Sequence, residues 1–97
     1  MNEIAYDTVI VGAGCSGLHS AYKINTSEST KNEKVGIFDM LDRIAGRLWT
    51  VKFEGASTIM ELGGMRYIEE HHKLLTHYVK TLKIPDMLFE MEGNKLQ

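Results

Sequence analysis

The sequence has little of the material on which several classes of protein depend. A single cysteine among 97 residues excludes an internal disulfide. The longest apolar runs fall far short of the roughly 20 residues that span a bilayer. With 11 basic and 13 acidic side chains there is no basic stripe, so nucleic acid is not an expected partner. The polar start is unlike a secretory signal, and a cytoplasmic location is the default expectation.

Three glycines that interrupt an apolar run are the most informative feature of the chain. Residues 6–11 are mostly apolar, Gly12, Gly14 and Gly17 follow with the spacing G-x-G-x-x-G, and Leu18 opens a helical pattern. In a strand-turn-helix of this kind the glycines allow a sharp turn, a close approach of backbone to pyrophosphate, and tight packing of helix on strand. The pattern predicts a dinucleotide-binding turn, and the alternative is a βαβ unit that holds no nucleotide.

A second apolar run, residues 35–38, ends on an acid. Asp39 lies 22 positions beyond Gly17, close to the offset of about 20 at which a carboxylate meets the ribose hydroxyls of a dinucleotide. Residues 25–33, between the helical pattern and this run, are wholly polar and predict a solvated loop. The expected fold is therefore α/β, with two parallel strands joined by a helix.

The second half of the chain predicts a hairpin and a helix. Residues 49–53 and 57–62 flank a turn at residues 54–56, which is typical of a β-hairpin. A glycine pair follows, and residues 68–82 carry an apolar stripe at helical spacing. We expect an amphipathic helix there.

The thiol and the histidines do not predict a reactive or metal-binding centre. Cys15 occupies a variable position of the glycine turn, where a small side chain is sufficient. On a helix, His71 and His72 lie about 120° and 140° from His77, so neither pair can hold one metal ion. We expect solvated histidines and no metal site.

The length predicts an incomplete fold. A hydrophobic content of 43% supplies one small core at most. Two parallel strands normally need further strands, and helices on both faces, before they are stable. We therefore expect a fragment of a larger polypeptide or a subunit that a complementary chain completes.

Four segments carry a family resemblance: residues 9–18, residues 37–39, the D-R-x-x-G-R turn of residues 42–47, and E-L-G-G-M-R-Y at residues 61–67. Together they resemble the flavin-dependent amine oxidases, in the branch that includes the L-amino-acid oxidases. The resemblance implies FAD as the cofactor. It also implies an incomplete Rossmann-like FAD-binding βαβ unit followed by a β-hairpin and an amphipathic helix, with residues 1–97 as the amino-terminal part of the FAD-binding domain and the substrate domain absent.

The resemblance implies a set of cofactor-binding positions. They are Gly12, Ala13, Gly14, Cys15, Ser16, Gly17, Asp39, Met40, Arg43, Gly46, Arg47, Gly63, Gly64, Met65 and Arg66. The glycine turn would cradle the pyrophosphate, Asp39 would hold the adenosine ribose, and residues 63–65 would lie beside the isoalloxazine ring. Arg43 and Arg47 would approach the phosphate or adenosine end, and taken alone they are equally well explained as surface arginines on a turn.

Two positions depart from the family pattern. Asp39 stands where the family usually has glutamate, so its shorter carboxylate must lie closer to the ribose. Ala45 stands where the family usually has glycine, next to the expected phosphate site. We expect weaker FAD binding at most from these changes.

Arg66 is the one catalytic-site residue that the resemblance implies, as a clamp for a substrate carboxylate. A guanidinium suits this role because its fork gives two parallel charge-assisted hydrogen bonds. The implied reaction is oxidation of an amino acid to a keto acid, ammonia and hydrogen peroxide. The alternatives are an Arg66 that pairs with a structural acid or with FAD, a flavoenzyme acting on a simple amine, and a noncatalytic truncated nucleotide-binding module or interaction subunit.

Overall fold

The computed structural model describes residues 3–64 and 66–88 of the chain. The chain divides into two compact units, Met1–Met65 and Arg66–Gln97. The first unit contains β1 (Thr8–Val11), α1 (Cys15–Thr26), β2 (Val35–Phe38), β3 (Thr50–Lys52) and β4 (Ile59–Glu61), and the second contains α2 (Lys73–Thr81). The predicted mixed α/β class is confirmed.

Strands β1 and β2 form a parallel pair that α1 connects. The register runs from Thr8 opposite Val35 to Val11 opposite Phe38. The start of β1 corrects the prediction from the apolar run, because Tyr6 lies before the strand rather than in it. The Tyr6 ring packs edge-on against the Phe38 ring, with 5.6 Å between the ring centres. A Cβ built on the buried Gly36 would lie 2.8 Å from Cε1 of Tyr6.

Helix α1 packs tightly against the exit of β1. A Cβ built on Gly17 would lie 1.9 Å from the carbonyl oxygen of Gly12 and 3.2 Å from Cγ2 of Ile10. This is the close approach of helix and strand that the third glycine of the motif predicts. Gly12 itself has a φ of +104°, which only glycine adopts without strain.

The polar segment between α1 and β2 is bound to its neighbours. The Thr8 hydroxyl donates to a Glu33 carboxylate oxygen at 2.7 Å, and the Thr30 hydroxyl donates to the Ile24 carbonyl oxygen at 2.7 Å. Residues 25 and 26, predicted as loop, belong to α1, and residues 27–33 are mostly exposed as predicted but also hydrogen-bonded to their neighbours.

The loop after β2 turns through two residues with positive φ. Ala45 has a φ of +80° and Gly46 a φ of +57°. The Leu48 N–H donates to the Ala45 carbonyl oxygen at 3.0 Å and closes the turn. For alanine this left-handed backbone costs about 1–2 kcal/mol.

The predicted hairpin is present, with shorter strands. β3 and β4 pair antiparallel, with Thr50 opposite Glu61 and Lys52 opposite Ile59. The Thr50 hydroxyl donates to a Glu61 carboxylate oxygen at 2.7 Å. At the connecting turn Gly55 has a φ of +83°.

In the second unit the helix starts later than residue 68, which corrects the sequence prediction. The Ile68 N–H donates to Nδ1 of His72 at 2.8 Å, and the His72 N–H donates back to the Ile68 carbonyl oxygen at 2.8 Å. These bonds form a turn that precedes α2. His72 is the N-cap and only His77, of the three histidines, lies on the helix.

Few apolar side chains are buried within the described residues. Ala13 is 2% exposed, and Ala21 and Val79 are also buried, whereas Val11 is 90% exposed and Met40 is 97% exposed. The uncovered apolar surface therefore includes the carboxyl ends of both parallel strands. Across residues 3–64 and 66–88, no helix has the length and apolar character needed to cross a membrane.

We predict that Gly17→Ala destabilises the fold of the first unit by about 3 kcal/mol, because the new methyl would overlap a backbone carbonyl that cannot move aside. Gly14→Ala is the matched control, since a Cβ there meets no atom within 4 Å. Urea unfolding of the full-length protein measures both. Equal unfolding midpoints for the two variants would contradict the packing described.

We predict that Ala45→Gly relieves about 1–2 kcal/mol of backbone strain in the folded protein. The greater freedom of glycine in the unfolded chain lowers the free energy of unfolding by about 0.4–1 kcal/mol. The net effect of the substitution on the free energy of unfolding should lie near zero or be stabilising. Ala56→Gly is the control, because Ala56 has no positive φ and should show the entropic loss alone. An Ala45→Gly variant as unstable as Ala56→Gly would show that the left-handed turn carries no strain.

Candidate cofactor site

The glycine turn leaves open space at the start of α1. A Cβ on Gly14 would meet nothing within 4 Å. Gly14 is the N-cap of the helix, without a side-chain capping bond, and the first turn contains no acidic residue. The first N–H groups of a helix have no partner within the helix and attract anions. This end of α1 can therefore receive a phosphate group.

Asp39 contacts the glycine turn directly. Its Oδ2 accepts the Ala13 N–H at 2.8 Å and its Oδ1 accepts the Leu41 N–H at 2.9 Å. At the same place the Gly12 N–H donates to the Phe38 carbonyl oxygen at 2.6 Å. The exit of β1 and the exit of β2 are thus joined by backbone and side-chain hydrogen bonds.

The carboxyl group of Asp39 is held in its charged form. The Ala13 N–H lowers the pKa of this group most, followed by the Leu41 N–H, while the nearby Arg43 guanidinium adds a smaller effect in the same direction. Each oxygen retains a lone pair beyond its backbone bond. Asp39 can therefore accept further hydrogen bonds from hydroxyl groups.

The D-R-x-x-G-R segment lies against the glycine turn. The Ala45 N–H donates to the Ala13 carbonyl oxygen at 2.8 Å, and a Cβ on Gly46 would lie 3.4 Å from Cα of Gly14. The structure thus brings residues 12–17, Asp39 and the following loop together, as the sequence predicts for one site.

The sequence does not predict the contact between Trp49 and Arg43. The Arg43 guanidinium lies 4.6 Å from the centre of the Trp49 ring, and it also donates to the Ile44 carbonyl oxygen at 3.3 Å. The spacing of six residues between Arg43 and the chain's one tryptophan is the signal available in the sequence. Arg47 is exposed on the same loop.

Asp39 lines two cavities. One, of about 300 Å³, brings Ala13 and Leu18 together with Asp39 and Arg43. The other, of about 510 Å³, is more apolar and is lined by Val11, Gly12, Phe38, Asp39, Met40 and Leu41. A polar group held at Asp39 would have apolar surface beside it, which suits a nucleoside.

Of the remaining predicted positions, Gly63 and Gly64 pack against Arg47 and Leu48, at the end of the D-R-x-x-G-R loop. A Cβ on Gly63 would lie 2.1 Å from the Arg47 carbonyl oxygen, so this glycine is needed for backbone packing, and Gly64 lies near Leu48. Met65 lies outside the described residues. Arg66 is exposed and belongs to the second unit.

These observations fit FAD. Open space at Gly14, free amides at the start of α1, where Cys15 and Ser16 are exposed, and the absence of acid in the first turn suit a pyrophosphate. The charged Asp39 beside them suits ribose hydroxyls. The individual cofactor contacts stay predictions.

Comparison with known proteins finds several similar sequences. The chain is 42% identical over 81 residues to aplysianin-A of Aplysia kurodai and 39% identical over 84 residues to achacin of Lissachatina fulica. It is 31% identical over 87 residues to an L-amino-acid oxidase of Notechis scutatus scutatus. These alignments cover 82–88% of this chain but 14–16% of the relatives, so the chain spans about one seventh of their length.

A solved structure supports the same relationship. A double mutant of putrescine oxidase, made to redesign cofactor binding, matches with a TM-score of 0.63 and 31% identity, over 80% of this chain and 16% of the other. The family described as flavin containing amine oxidoreductase matches residues 15–96. The expected cofactor, FAD, is confirmed by this match, and the chain belongs to the flavin-containing amine oxidoreductase family.

Proposed function

We propose that this chain is the amino-terminal part of the FAD-binding domain of an amino-acid oxidase. The observation that carries the proposal is the hydrogen bond between Asp39 and Ala13, because it brings a ribose acceptor to the turn that suits the pyrophosphate. Membership of a flavin-containing family supports the cofactor.

Different residues bind different parts of the cofactor in this proposal. The amides at the start of α1 bind the pyrophosphate, with Gly14 allowing its close approach, and Asp39 accepts the ribose hydroxyls. Arg43 and Arg47 supply positive charge near the phosphate or adenosine end. In this proposal Gly63 and Gly64 would lie beside the isoalloxazine ring.

Arg66 selects the substrate class in this proposal. Its guanidinium binds the carboxylate of an amino acid through two parallel hydrogen bonds and so orients the α-carbon. Bound FAD would supply the redox chemistry, which is oxidation of the amino acid to a keto acid and ammonia with reduction of oxygen to hydrogen peroxide. L-amino-acid oxidases among the relatives support this reaction.

Further polypeptide completes the domain in this proposal, either as the remainder of the same chain or as a complementary chain. Two parallel strands with little covered surface cannot make a stable sheet. The exposure of Val11 and Met40, at the carboxyl ends of the two strands, supports a missing layer. So does the span of 14–16% of the relatives' length.

Oxidation of a simple amine is the second candidate. The similarity to putrescine oxidase favours it, since that protein's name gives a diamine as its substrate. A simple amine has no carboxylate, so Arg66 would have no substrate group to bind. The two candidates therefore differ in what they require of Arg66.

We predict that Gly14→Ala weakens FAD binding about tenfold or more without unfolding the protein, because the methyl would occupy the space that a phosphate needs. Titration of FAD into the full-length protein measures the affinity, and circular dichroism verifies the fold. If the folded wild-type protein binds no FAD, the proposed function is contradicted. Unchanged affinity in the variant would remove the pyrophosphate from this turn.

We predict that Arg66→Ala lowers kcat/KM for L-amino acids by roughly 10- to 100-fold, the value of a charge-assisted pair. Arg66→Lys should recover only part of the loss, because lysine keeps the charge but not the fork. Lys73→Ala, which removes an exposed charge from the same unit, is the control. Equal rates for Arg66→Ala and the wild type would exclude the clamp, and faster oxidation of diamines than amino acids by the wild type would favour the second candidate.

A further inference from the structure

Ala13 in the glycine turn is hydrogen-bonded through both its backbone N–H and its backbone carbonyl group. The Ala13 N–H donates to Oδ2 of Asp39, and the Ala13 carbonyl oxygen accepts the Ala45 N–H, each at 2.8 Å. Ala13 is only 2% exposed. A buried peptide group that loses its partner is costly, so these two bonds restrict the conformations open to the turn.

The Asp39 carboxylate that accepts the Ala13 N–H is itself held in place by backbone groups. Its second oxygen accepts the Leu41 N–H at 2.9 Å, and the main chain just before it is joined to the turn by the bond from Gly12 to Phe38. Asp39 therefore meets the turn from a fixed position at the end of β2.

We propose that Asp39 is a positioning residue for the phosphate-binding turn, in addition to any contact with the ribose. By holding the Ala13 N–H, it sets the path of the backbone that leads into the amides at the start of α1. This inference rests on the proposed FAD site and assigns to Asp39 an effect on phosphate binding that a ribose contact alone does not give.

The substitution Asp39→Asn separates the two roles because both backbone partners are donors. Ala13 and Leu41 donate to different oxygens of the carboxylate, whereas asparagine turns its NH2 group, itself a donor, toward one of these two N–H groups. The charged groups that share the cavity with Asp39 are Asp42 and Arg43. Asp42→Asn removes the same charge from the same cavity and serves as the matched control.

The test compares ADP with an ADP analogue whose ribose lacks both hydroxyls, titrated into the full-length protein. For a positioning residue, Asp39→Asn weakens the binding of the analogue by roughly tenfold, since the diphosphate site itself is disturbed. Asp42→Asn leaves the binding of the analogue unchanged or tightens it, because a negative charge near the diphosphate is lost. If Asp39 only binds ribose, Asp39→Asn will behave toward the analogue as Asp42→Asn does, and the inference is overturned.

A second measurement does not depend on any nucleotide. The amide resonance of Ala13 in the ligand-free protein should move as Asp39 is protonated, with a midpoint below the ordinary aspartate range because the two N–H groups and Arg43 lower its pKa. The movement should persist in Asp42→Asn and disappear in Asp39→Asn. If the Ala13 resonance of the wild type does not move as Asp39 is protonated, the inference is overturned even where FAD binds. If the resonance moves but neither ADP nor FAD binds, the proposed function is overturned, and with it the ligand role of Asp39.

Discussion

The two backbone hydrogen bonds of Ala13 hold the candidate site together. Its N–H joins the turn after β1 to the carboxylate after β2, and its carbonyl oxygen joins the turn to the loop that follows. Three segments separated by up to 32 positions, from Ala13 to Ala45, therefore share one buried residue. The open space at Gly14 and the charge at Asp39 owe their closeness to this arrangement.

Local constraints made much of this site predictable from the sequence. A glycine at a φ of +104° and a glycine whose Cβ would overlap a carbonyl group leave direct marks in the sequence, because no other residue fits. The bounds of β2 follow from an apolar run between polar neighbours. The acid after it was found by its offset from the glycines.

Features that depend on particular side-chain contacts were not predictable. The ring of Tyr6 lies against Gly36 and Phe38, and β1 begins two residues after the start of its apolar run. His72 accepts the Ile68 N–H and delays the start of α2. Nothing in the periodicity indicated that Trp49 would pack on Arg43.

The exposed apolar surface and the candidate cofactor site lie at the same end of the two parallel strands. The strand ends that carry the site are also where Val11 and Met40 are left uncovered. A cofactor with an adenosine end and a flavin end is longer than the cluster around Asp39, so the site accounts for one part of it. Family membership and the span of about one seventh of the relatives' length agree with this division.

The visible absorption spectrum of the purified protein, recorded together with the mass of its native assembly, tests most directly whether this chain takes part in holding FAD. The account predicts flavin absorption with FAD in a fixed ratio to this chain, in an assembly that includes the polypeptide completing the domain. A folded protein that remains colourless when FAD is supplied in excess would contradict it.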